Sequence, residues 1–480
     1  MSKAENNNKA GKTNLILESM IAISFVMSFF ANVISFYLTG NKNDLLRKAI
    51  SQGLIFCITL CMVFYVVHKW FVSESITRKK ILYSLIPLGL NGLLLFIGVL
   101  NASDKSSLFK IFLGWASYCV ALTCGAVYIM GEERLQQIIV KMKYVAAIMT
   151  PFWGMAIWHL GHLSVQDDFS KGFGGLSHLT IGYSAVFIYS FLICDLAGIL
   201  KERGNRASCL MVVIEMVICS LISVMSGGRG AFFAWVAVSL LAGITLLIKK
   251  EKGVVAGILL GTIAILVFCA AAPADNASIN RQFSFIAELK NGDVKRSFVS
   301  EEGQDLITEI YNKADESQEI TEIINTAGDA RQDEETDKNF EEVKYSVTNG
   351  SMARFYLWQL AVKEMLQSPM LGMGPAGFQI KYRTYPHNIL LECLSDFGLI
   401  AGILFMAACV ALVALIIKYS ISCRKYFHLI IILSGYAVYA MLSGTLYSCE
   451  ALFFTFAIII WQLTNRFVGK QGHSWKKRSQ

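Results

Sequence analysis

The stretch that decides the fold is YPHNILLECLSDFGLIAGILF, residues 385–405. Its second half is almost entirely apolar, which is typical of a helix that crosses a lipid bilayer. Its first half contains His387, Asn388, Glu392 and Asp396. Polar side chains at the start of a membrane helix are costly unless they face a polar cavity or pair with one another. The stretch therefore predicts a membrane helix with a polar site at its beginning.

The composition of the whole chain indicates the same fold class. Of its 480 residues, 55% are hydrophobic and only 16% are charged, and the mean hydropathy is +0.51. A soluble protein of this length would have about a quarter charged residues. The apolar residues cluster in runs of about 20, which is the length that crosses the hydrocarbon core as a helix. We therefore predict an all-α polytopic membrane protein, and we read the formal net charge of +8 as a sign of membrane topology and not of nucleic-acid binding.

About 12 transmembrane helices are predicted, and the first is expected to be a retained anchor rather than a cleaved signal. The segments are 15–38, 51–68, 81–100, 108–130, 144–160, 176–199, 208–226, 231–248, 253–272, 387–417, 426–443 and 447–463. With the N-terminus in the cytoplasm, the cytoplasmic segments hold 24 lysines and arginines and the short outside loops hold 6. This distribution obeys the positive-inside rule and predicts that both termini are cytoplasmic. The 12 cysteines fall mostly within spans and show no C-x-x-C spacing, so neither disulfides nor a metal site are expected.

One large extracytoplasmic loop, 273–386, is predicted between helices 9 and 10, and it holds 19 of the 35 acidic residues. We expect an N-terminal membrane bundle over 1–272, this loop, C-terminal membrane helices over 387–463, and a basic cytoplasmic tail over 464–480. Within the loop, apolar residues at helical spacing predict an amphipathic surface helix over 352–368. The acidic insert 286–348 is most simply solvated surface, and the sequence gives it no role.

The glycines of GMGPAG, residues 372–377, match G-x-G-x-x-G. A dinucleotide site needs a strand before this motif and a helix that opens within it. Here a predicted helix and Pro369 come before it, and Pro375 lies inside it. The segment is therefore predicted to be a tight turn that returns the chain to the membrane.

Three arginines are candidates for binding an anion. Arg229 occupies the tip of the short outside turn in SGGRGAFFAW, residues 226–235, where glycines let backbone or ligand approach closely. Its planar guanidinium suits a phosphate or diphosphate, although an interfacial arginine can also snorkel to lipid headgroups. Arg354 begins the predicted amphipathic helix and Arg383 lies in KYRTYPHN; either can also be a plain membrane-surface anchor.

His387 is the candidate general base. Pro386 suits a helix start because it lacks the N–H that would be unpaired there, so His387 is expected in the first turn. The positive end of the helix dipole would disfavour imidazolium there, and a neutral ring can accept a proton. Asn388 is expected to cap the helix or orient a substrate. Glu392 and Asp396 share a helix face and would tune the histidine, bind sugar or hold helices together.

In this order the motifs resemble those of the O-antigen ligase and O-antigen polymerase superfamily of bacterial membrane glycosyltransferases. The resemblance rests on SGGRGA, on ARFYLWQLAVKEMLQSPMLGMGPAGF and on PHNILLECLSDFGLIAG, and it covers roughly 226–405. It implies a GT-C-like fold and inverting, metal-independent transfer from an undecaprenyl-diphosphate-linked glycan, without cofactor, at the outer face of the cytoplasmic membrane. By this resemblance Arg229 and Arg354 would hold the donor diphosphate, with Arg281 and Arg383 as further members of the cluster, and His387 would activate the acceptor hydroxyl.

The expected partners are the glycan donor, a glycan or lipid A-core acceptor, membrane lipids and polysaccharide-assembly proteins, with no nucleic acid. The residues do not separate a polymerase from a ligase, because the two share donor, face and chemistry. The alternative class is a transporter such as a lipid-linked glycan flippase. It would use charges inside the bundle, of which the sequence offers Asp195, Glu215 and Glu450.

Overall fold

The computed structural model describes residues 3–40, 44–101, 105–162, 176–202, 205–248, 251–272, 276, 278–279, 351–382, 384–422 and 428–478. By internal contacts the chain divides into two compact units. Unit 1 comprises Met1–Gln282 and Leu404–Gln480, and unit 2 comprises Phe283–Ile403. Each unit is described by itself below.

The described residues fold into α-helices, one short 3-10 helix at Leu446–Ser448, and connecting turns. The first ten helices are α1 (Lys3–Ser24), α2 (Met27–Thr39), α3 (Asp44–Val72), α4 (Ser75–Asn101), α5 (Lys105–Glu132), α6 (Leu135–Gly161), α7 (His178–Lys201), α8 (Arg206–Met225), α9 (Arg229–Ile248) and α10 (Lys252–Ala271). The last five are α11 (Ser351–Gln367), α12 (Gly377–Tyr382), α13 (Ile389–Ser422), α14 (His428–Leu442) and α15 (Glu450–Arg478).

The polytopic fold class is confirmed. Within the described residues, eight helices are long and apolar enough to cross a membrane, and a ninth span results if the bent pair α1–α2 counts as one. The other predicted spans fall on α6 and on two shorter apolar helices, His428–Leu442 and Glu450–Asn465. The count of about twelve spans and the GT-C-like fold therefore stay predictions.

Where the sequence predicts one span over 15–38, the structure has two helices bent by 99°. A break inside a membrane segment frees backbone groups that need new partners. The Tyr436 hydroxyl supplies one by donating to the Phe25 carbonyl at 2.6 Å. The Phe25 ring packs edge-on against Phe191 at 4.8 Å and Phe454 at 5.0 Å. The break is thus stabilised by distant helices, so the local sequence gave no sign of it.

The centre of unit 1 is α7. Of its most apolar 18-residue stretch 83% is buried, against 28% for the corresponding stretch of α10. Near its C-terminal end α7 carries the buried Asp195, whose Oδ2 lies 3.6 Å from Lys143 Nζ on α6. Lys143 Nζ also lies 3.1 Å from Ser208 Oγ on α8. Losing one partner of such a pair would leave a buried charge and cost about 3–5 kcal/mol. Asp195 therefore has a structural partner, Lys143, which lies just before the predicted span 144–160.

Unit 2 has a small core of its own in its described part. Leu357, Leu360 and Ala361 on α11 pack with Phe378 on α12, and Leu391 on α13 covers them. The buried Glu364 of α11 accepts hydrogen bonds from Lys381 Nζ at 2.9 Å and from the Tyr382 hydroxyl at 2.5 Å. These contacts hold α11, α12 and the beginning of α13 together.

Candidate functional site

Arg229 is the first residue of α9 and follows the turn that joins α8 to α9. The Gly228 carbonyl accepts from the backbone N–H groups of Ala231 and Phe232, so Gly228 sits at the N-cap position. The first N–H groups of a helix have no intrahelical acceptor and lie at the positive end of its dipole. The guanidinium of Arg229 therefore adds a full positive charge to a place that already favours anions.

The start of α9 is packed closely against α7 and against the segment after α14. A Cβ on Gly230 would lie 2.1 Å from Tyr183 Oη and 3.2 Å from Ser443 Oγ, so glycine is required here by close approach. These two buried hydroxyls lie 2.9 Å apart and hydrogen-bond to each other. Tyr183 and Ser443 pack against the start of α9, where Arg229 lies. They are 260 residues apart in the chain, so no local sequence pattern reveals the pair.

The chain after α10 is hydrogen-bonded to the C-terminal end of α8, next to the turn that leads to Arg229. Ser278 Oγ donates to the Met225 carbonyl at 2.6 Å, and Asn276 Nδ2 donates to the Gly161 carbonyl at 3.0 Å. The beginning of the predicted extracytoplasmic loop thus lies at the ends of α6 and α8. Arg281, a predicted member of the cation cluster, lies outside the described residues.

The start of α13 differs from the sequence prediction. Pro386 does not open the helix, and His387 is not in its first turn, because α13 begins at Ile389. Asn388 is the capping residue: its Oδ1 accepts from the N–H groups of Leu390 at 3.0 Å and Leu391 at 3.1 Å. Asparagine is among the best N-cap residues, and this preference outweighed the one for proline at the first helical position. Capping is one of the two roles that the sequence offers for Asn388, and these hydrogen bonds show it; its role in substrate binding stays a prediction.

His387 lies immediately before this cap in a left-handed backbone conformation, with φ of 57°. Few non-glycine residues adopt this region, and histidine is among the types enriched there. Its half-buried ring lies 4.3 Å from the Tyr385 ring, centroid to centroid. Such strained backbone often occurs at functional sites and persists only where surrounding contacts hold it.

α11 supplies one of these contacts through Trp358. Trp358 Nε1 donates to the Pro386 carbonyl at 2.8 Å, next to His387 in the chain. Arg354 lies four residues before Trp358, one helical turn away on the same side of α11. That Arg354 and His387 share one site stays a prediction. Arg383, four residues before His387, lies outside the described residues, as does the insert 286–348.

Asp396 joins the glycine-rich turn to α13. Its Oδ1 accepts from the Phe378 N–H at 3.0 Å, and its carbonyl accepts from the Gly374 N–H at 2.8 Å. A Cβ on Gly372, which has φ of 65°, would lie 2.5 Å from the Asp396 carbonyl oxygen. The segment 372–377 is a turn, as predicted, and its glycine is required by close packing against α13.

The turn 372–377 can pack against α13 because this helix is kinked at Gly398, where the backbone leaves the helical conformation. The Leu399 N–H, which in a regular helix would bond to the Ser395 carbonyl, donates instead to the Pro369 carbonyl at 2.7 Å. The freed Ser395 carbonyl accepts from the Met373 N–H at 2.9 Å. The kink and the turn thus satisfy each other's backbone groups. Glu392, one helical turn before Asp396, is fully buried.

Replacing Asp396 by asparagine is expected to have little effect, because the amide oxygen can still accept from the Phe378 N–H. Replacing it by leucine removes that acceptor and is expected to lower the free energy of unfolding by about 1–3 kcal/mol. Thermal unfolding of the purified variants in detergent, with glycan assembly in cells, measures both effects. Loss of assembly in Asp396→Asn at wild-type stability would instead give the carboxylate a chemical role.

A family model described as O-antigen ligase matches residues 214–406. The matched region contains Arg229, Arg354, His387 and the kinked start of α13. The match confirms the resemblance to the O-antigen ligase and polymerase superfamily for this part of the chain, and it supports a multi-pass membrane enzyme of glycosyltransferase type. Neither the curated proteins nor the solved structures gave a match. In the part of the chain that the structure describes, no group of three or more histidines, cysteines and acids could hold a metal ion.

Proposed function

We propose that the protein transfers or polymerises undecaprenyl-diphosphate-linked oligosaccharide at the outer face of the bacterial cytoplasmic membrane. The observation that carries the proposal is the family match over 214–406, which contains the arginine turn, α11 and the His387 segment. The alternative of a flippase has less support, since it would rely on charges such as Asp195, which already pairs with Lys143 at 3.6 Å.

In the proposed reaction an acceptor hydroxyl attacks the anomeric carbon of the donor glycan. The bond from that carbon to the diphosphate oxygen breaks, and the acceptor proton passes to His387. Negative charge grows on the departing lipid diphosphate, and fixed guanidinium groups aimed at that charge lower the barrier. We assign this role to Arg229 and Arg354, with Arg281 and Arg383 as further cations. Attack from the face opposite the leaving group inverts the anomeric centre, and neither a metal nor a nucleotide cofactor takes part.

The geometry of unit 2 supports His387 as the base. The Trp358–Pro386 hydrogen bond and the Asn388 cap hold both sides of the histidine. A base that is fixed in place before substrate arrives avoids much of the entropic cost of orientation. We assign Asn388 and Asp396 to positioning. Because Glu392 is fully buried, we propose that it tunes His387 from within the fold and does not bind the acceptor sugar directly.

In the membrane we propose that both termini are cytoplasmic and that 273–386 is extracytoplasmic, with α11 lying on the outer surface. The acceptor is then a growing glycan for a polymerase, or a lipid A-core or other acceptor for a ligase. Polysaccharide-assembly proteins would deliver the donor to this face.

Purified protein in liposomes that contain lipid-linked oligosaccharide, with no ion gradient, is expected to extend or transfer the glycan. Mass spectrometry of the lipid and glycan fractions measures the product. In cells that lack the protein, accumulated single lipid-linked units would identify a polymerase, whereas lipid-linked polymer would identify a ligase. Translocation of lipid-linked glycan without any new glycosidic bond would favour the flippase and contradict the proposal.

A further inference from the structure

Unit 1 contains a buried cluster of charged side chains that the proposed reaction does not use. Lys143 on α6 pairs with Asp195 on α7 at 3.6 Å, and Lys143 Nζ also donates to Ser208 Oγ on α8 at 3.1 Å. Glu215 lies seven residues after Ser208, two turns along the same face of α8. Asp195 and Lys143 both act electrostatically on Glu215. Three helices therefore bring two carboxyl groups and one ammonium group into one cluster.

The charges of this cluster do not balance. Lys143, Asp195 and Glu215 are only 9%, 1% and 3% exposed, and with all three ionised they would carry one net negative charge. An uncompensated charge inside a membrane bundle is costly. Among the described residues Glu215 Oε2 has no hydrogen-bond partner, and Asp195 Oδ2 lies beyond hydrogen-bond distance of Lys143. The cluster thus lacks one positive charge and has buried carboxyl oxygens that can receive it.

The surroundings of the cluster are mainly apolar. A Cβ on Gly257 of α10 would lie 3.0 Å from Leu196 and 3.5 Å from Met216, which are the chain neighbours of Asp195 and Glu215. Residues 230–248 of α9 and 253–261 of α10 contain no titratable side chain. Among the described residues, the other titratable residues that interact with the cluster or its neighbours are Tyr144, Cys194, Cys219 and His428. Of these only the histidine can become positive, and its recorded contact is made by its backbone carbonyl, 3.9 Å from Cys194 Sγ.

We propose that this cluster is a proton-binding site, in which Glu215 holds one proton while Asp195 and Lys143 form an ion pair. The bound proton makes the charges of the three groups sum to zero. Glu215 holds it because Asp195 has the nearer ammonium partner, and a protonated carboxyl has an O–H that can donate to a carboxylate oxygen. A sodium ion would supply the same charge, but no group of three or more histidines, cysteines and acids in the described part of the chain could hold a metal ion. The inference does not depend on the proposed function.

The first test is infrared spectroscopy of the purified protein in nanodiscs at neutral pH, which distinguishes a protonated carboxyl from a carboxylate by its C=O stretch. The matched control is Glu18→Gln, because Glu18 is also buried in unit 1 but has a cationic partner, Arg134, at 3.7 Å. Glu215→Gln is expected to remove the intensity of one protonated carboxyl, and Glu18→Gln should remove none. An unchanged protonated-carboxyl signal in Glu215→Gln, or an equal loss in the control, would overturn the proposal.

The second test is thermal unfolding of the same proteins over a range of pH. At neutral and alkaline pH the unfolded chain releases the proton that the folded protein keeps, so wild-type stability should fall as the pH rises. Glutamine resembles the protonated carboxyl, so Glu215→Gln should unfold near the wild-type temperature at neutral pH and lose less stability at alkaline pH. A variant that is less stable than wild type at every pH would show that the ionised carboxylate is needed and would contradict the proposal.

Two further comparisons exclude other sources of the positive charge. Wild-type unfolding is measured in sodium chloride and in choline chloride at equal ionic strength, and the two temperatures should agree. Stabilisation by sodium that disappears in Glu215→Gln would make the cluster a metal-ion site instead. His428→Asn should keep the infrared signal of the protonated Glu215. Its loss in this variant would show that the protonation of Glu215 depends on His428, and that the three groups do not form the site by themselves.

Discussion

The His387→Ala protein is expected to lose glycan assembly while it still folds and inserts into the membrane. Without the imidazole no group at this position accepts the acceptor proton, and loss of a general base lowers the rate by about 100- to 10,000-fold. The measurement is the turnover of lipid-linked oligosaccharide by purified protein, together with the glycan ladder made by cells at matched expression.

The control for His387 is His162→Ala. His162 lies at the end of α6, is exposed, and its Nδ1 is 2.7 Å from the Trp158 carbonyl. Removing its imidazole tests whether the loss of any exposed histidine impairs assembly. If His387→Ala, expressed at the wild-type level, made glycan normally, the assignment of the base would be wrong.

Replacing Arg229 by alanine is expected to reduce kcat/KM for the lipid-linked donor by about 100- to 1,000-fold. This is the size of effect seen when one group that stabilises developing negative charge is removed. Lysine at this position should restore only part of the activity, because its point charge cannot replace a planar fork that binds two oxygens. The turn itself should remain, since Gly230, Tyr183 and Ser443 set its packing and none of them is changed.

Arg206→Ala serves as the matched control, because Arg206 is the exposed first residue of α8 and is predicted to face the cytoplasm. Its replacement also removes one arginine from a helix N-terminus. Normal donor kinetics in Arg229→Ala, or an equal defect in Arg206→Ala, would contradict a specific role of Arg229 at the diphosphate.

Much of the membrane fold could be predicted from the sequence, because apolar runs of helical length carry most of the signal. The helices α3 to α5 and α7 to α10 all appear where such runs occur. The break at Phe25 could not be predicted in this way. The break holds neither proline nor glycine, and it is stabilised by Tyr436, which is 411 residues away. The partnership of Lys143 with Asp195 was missed for a similar reason, since the lysine was counted as a loop charge.

The candidate site was predictable by residue type but not by local geometry. The pattern PHN indicated a polar helix entry, yet the choice between Pro386 and Asn388 as the start depended on which contacts the surrounding chain makes. The Asn388 side chain accepts hydrogen bonds from two N–H groups of α13, and Trp358 Nε1 donates one to the Pro386 carbonyl. The sequence left the role of Asp396 undecided between chemistry and helix packing. The hydrogen bond that its Oδ1 accepts from the Phe378 N–H favours packing.

The most direct test of the central claim is the release of undecaprenyl diphosphate by purified wild-type and His387→Ala protein, with donor and acceptor both present in detergent. The wild-type protein should release it in step with a new glycosidic bond, and the His387→Ala protein should do so at least about 100-fold more slowly. Equal release by the two proteins, or new glycosidic bonds that form without it, would contradict a histidine-dependent transfer from a lipid diphosphate.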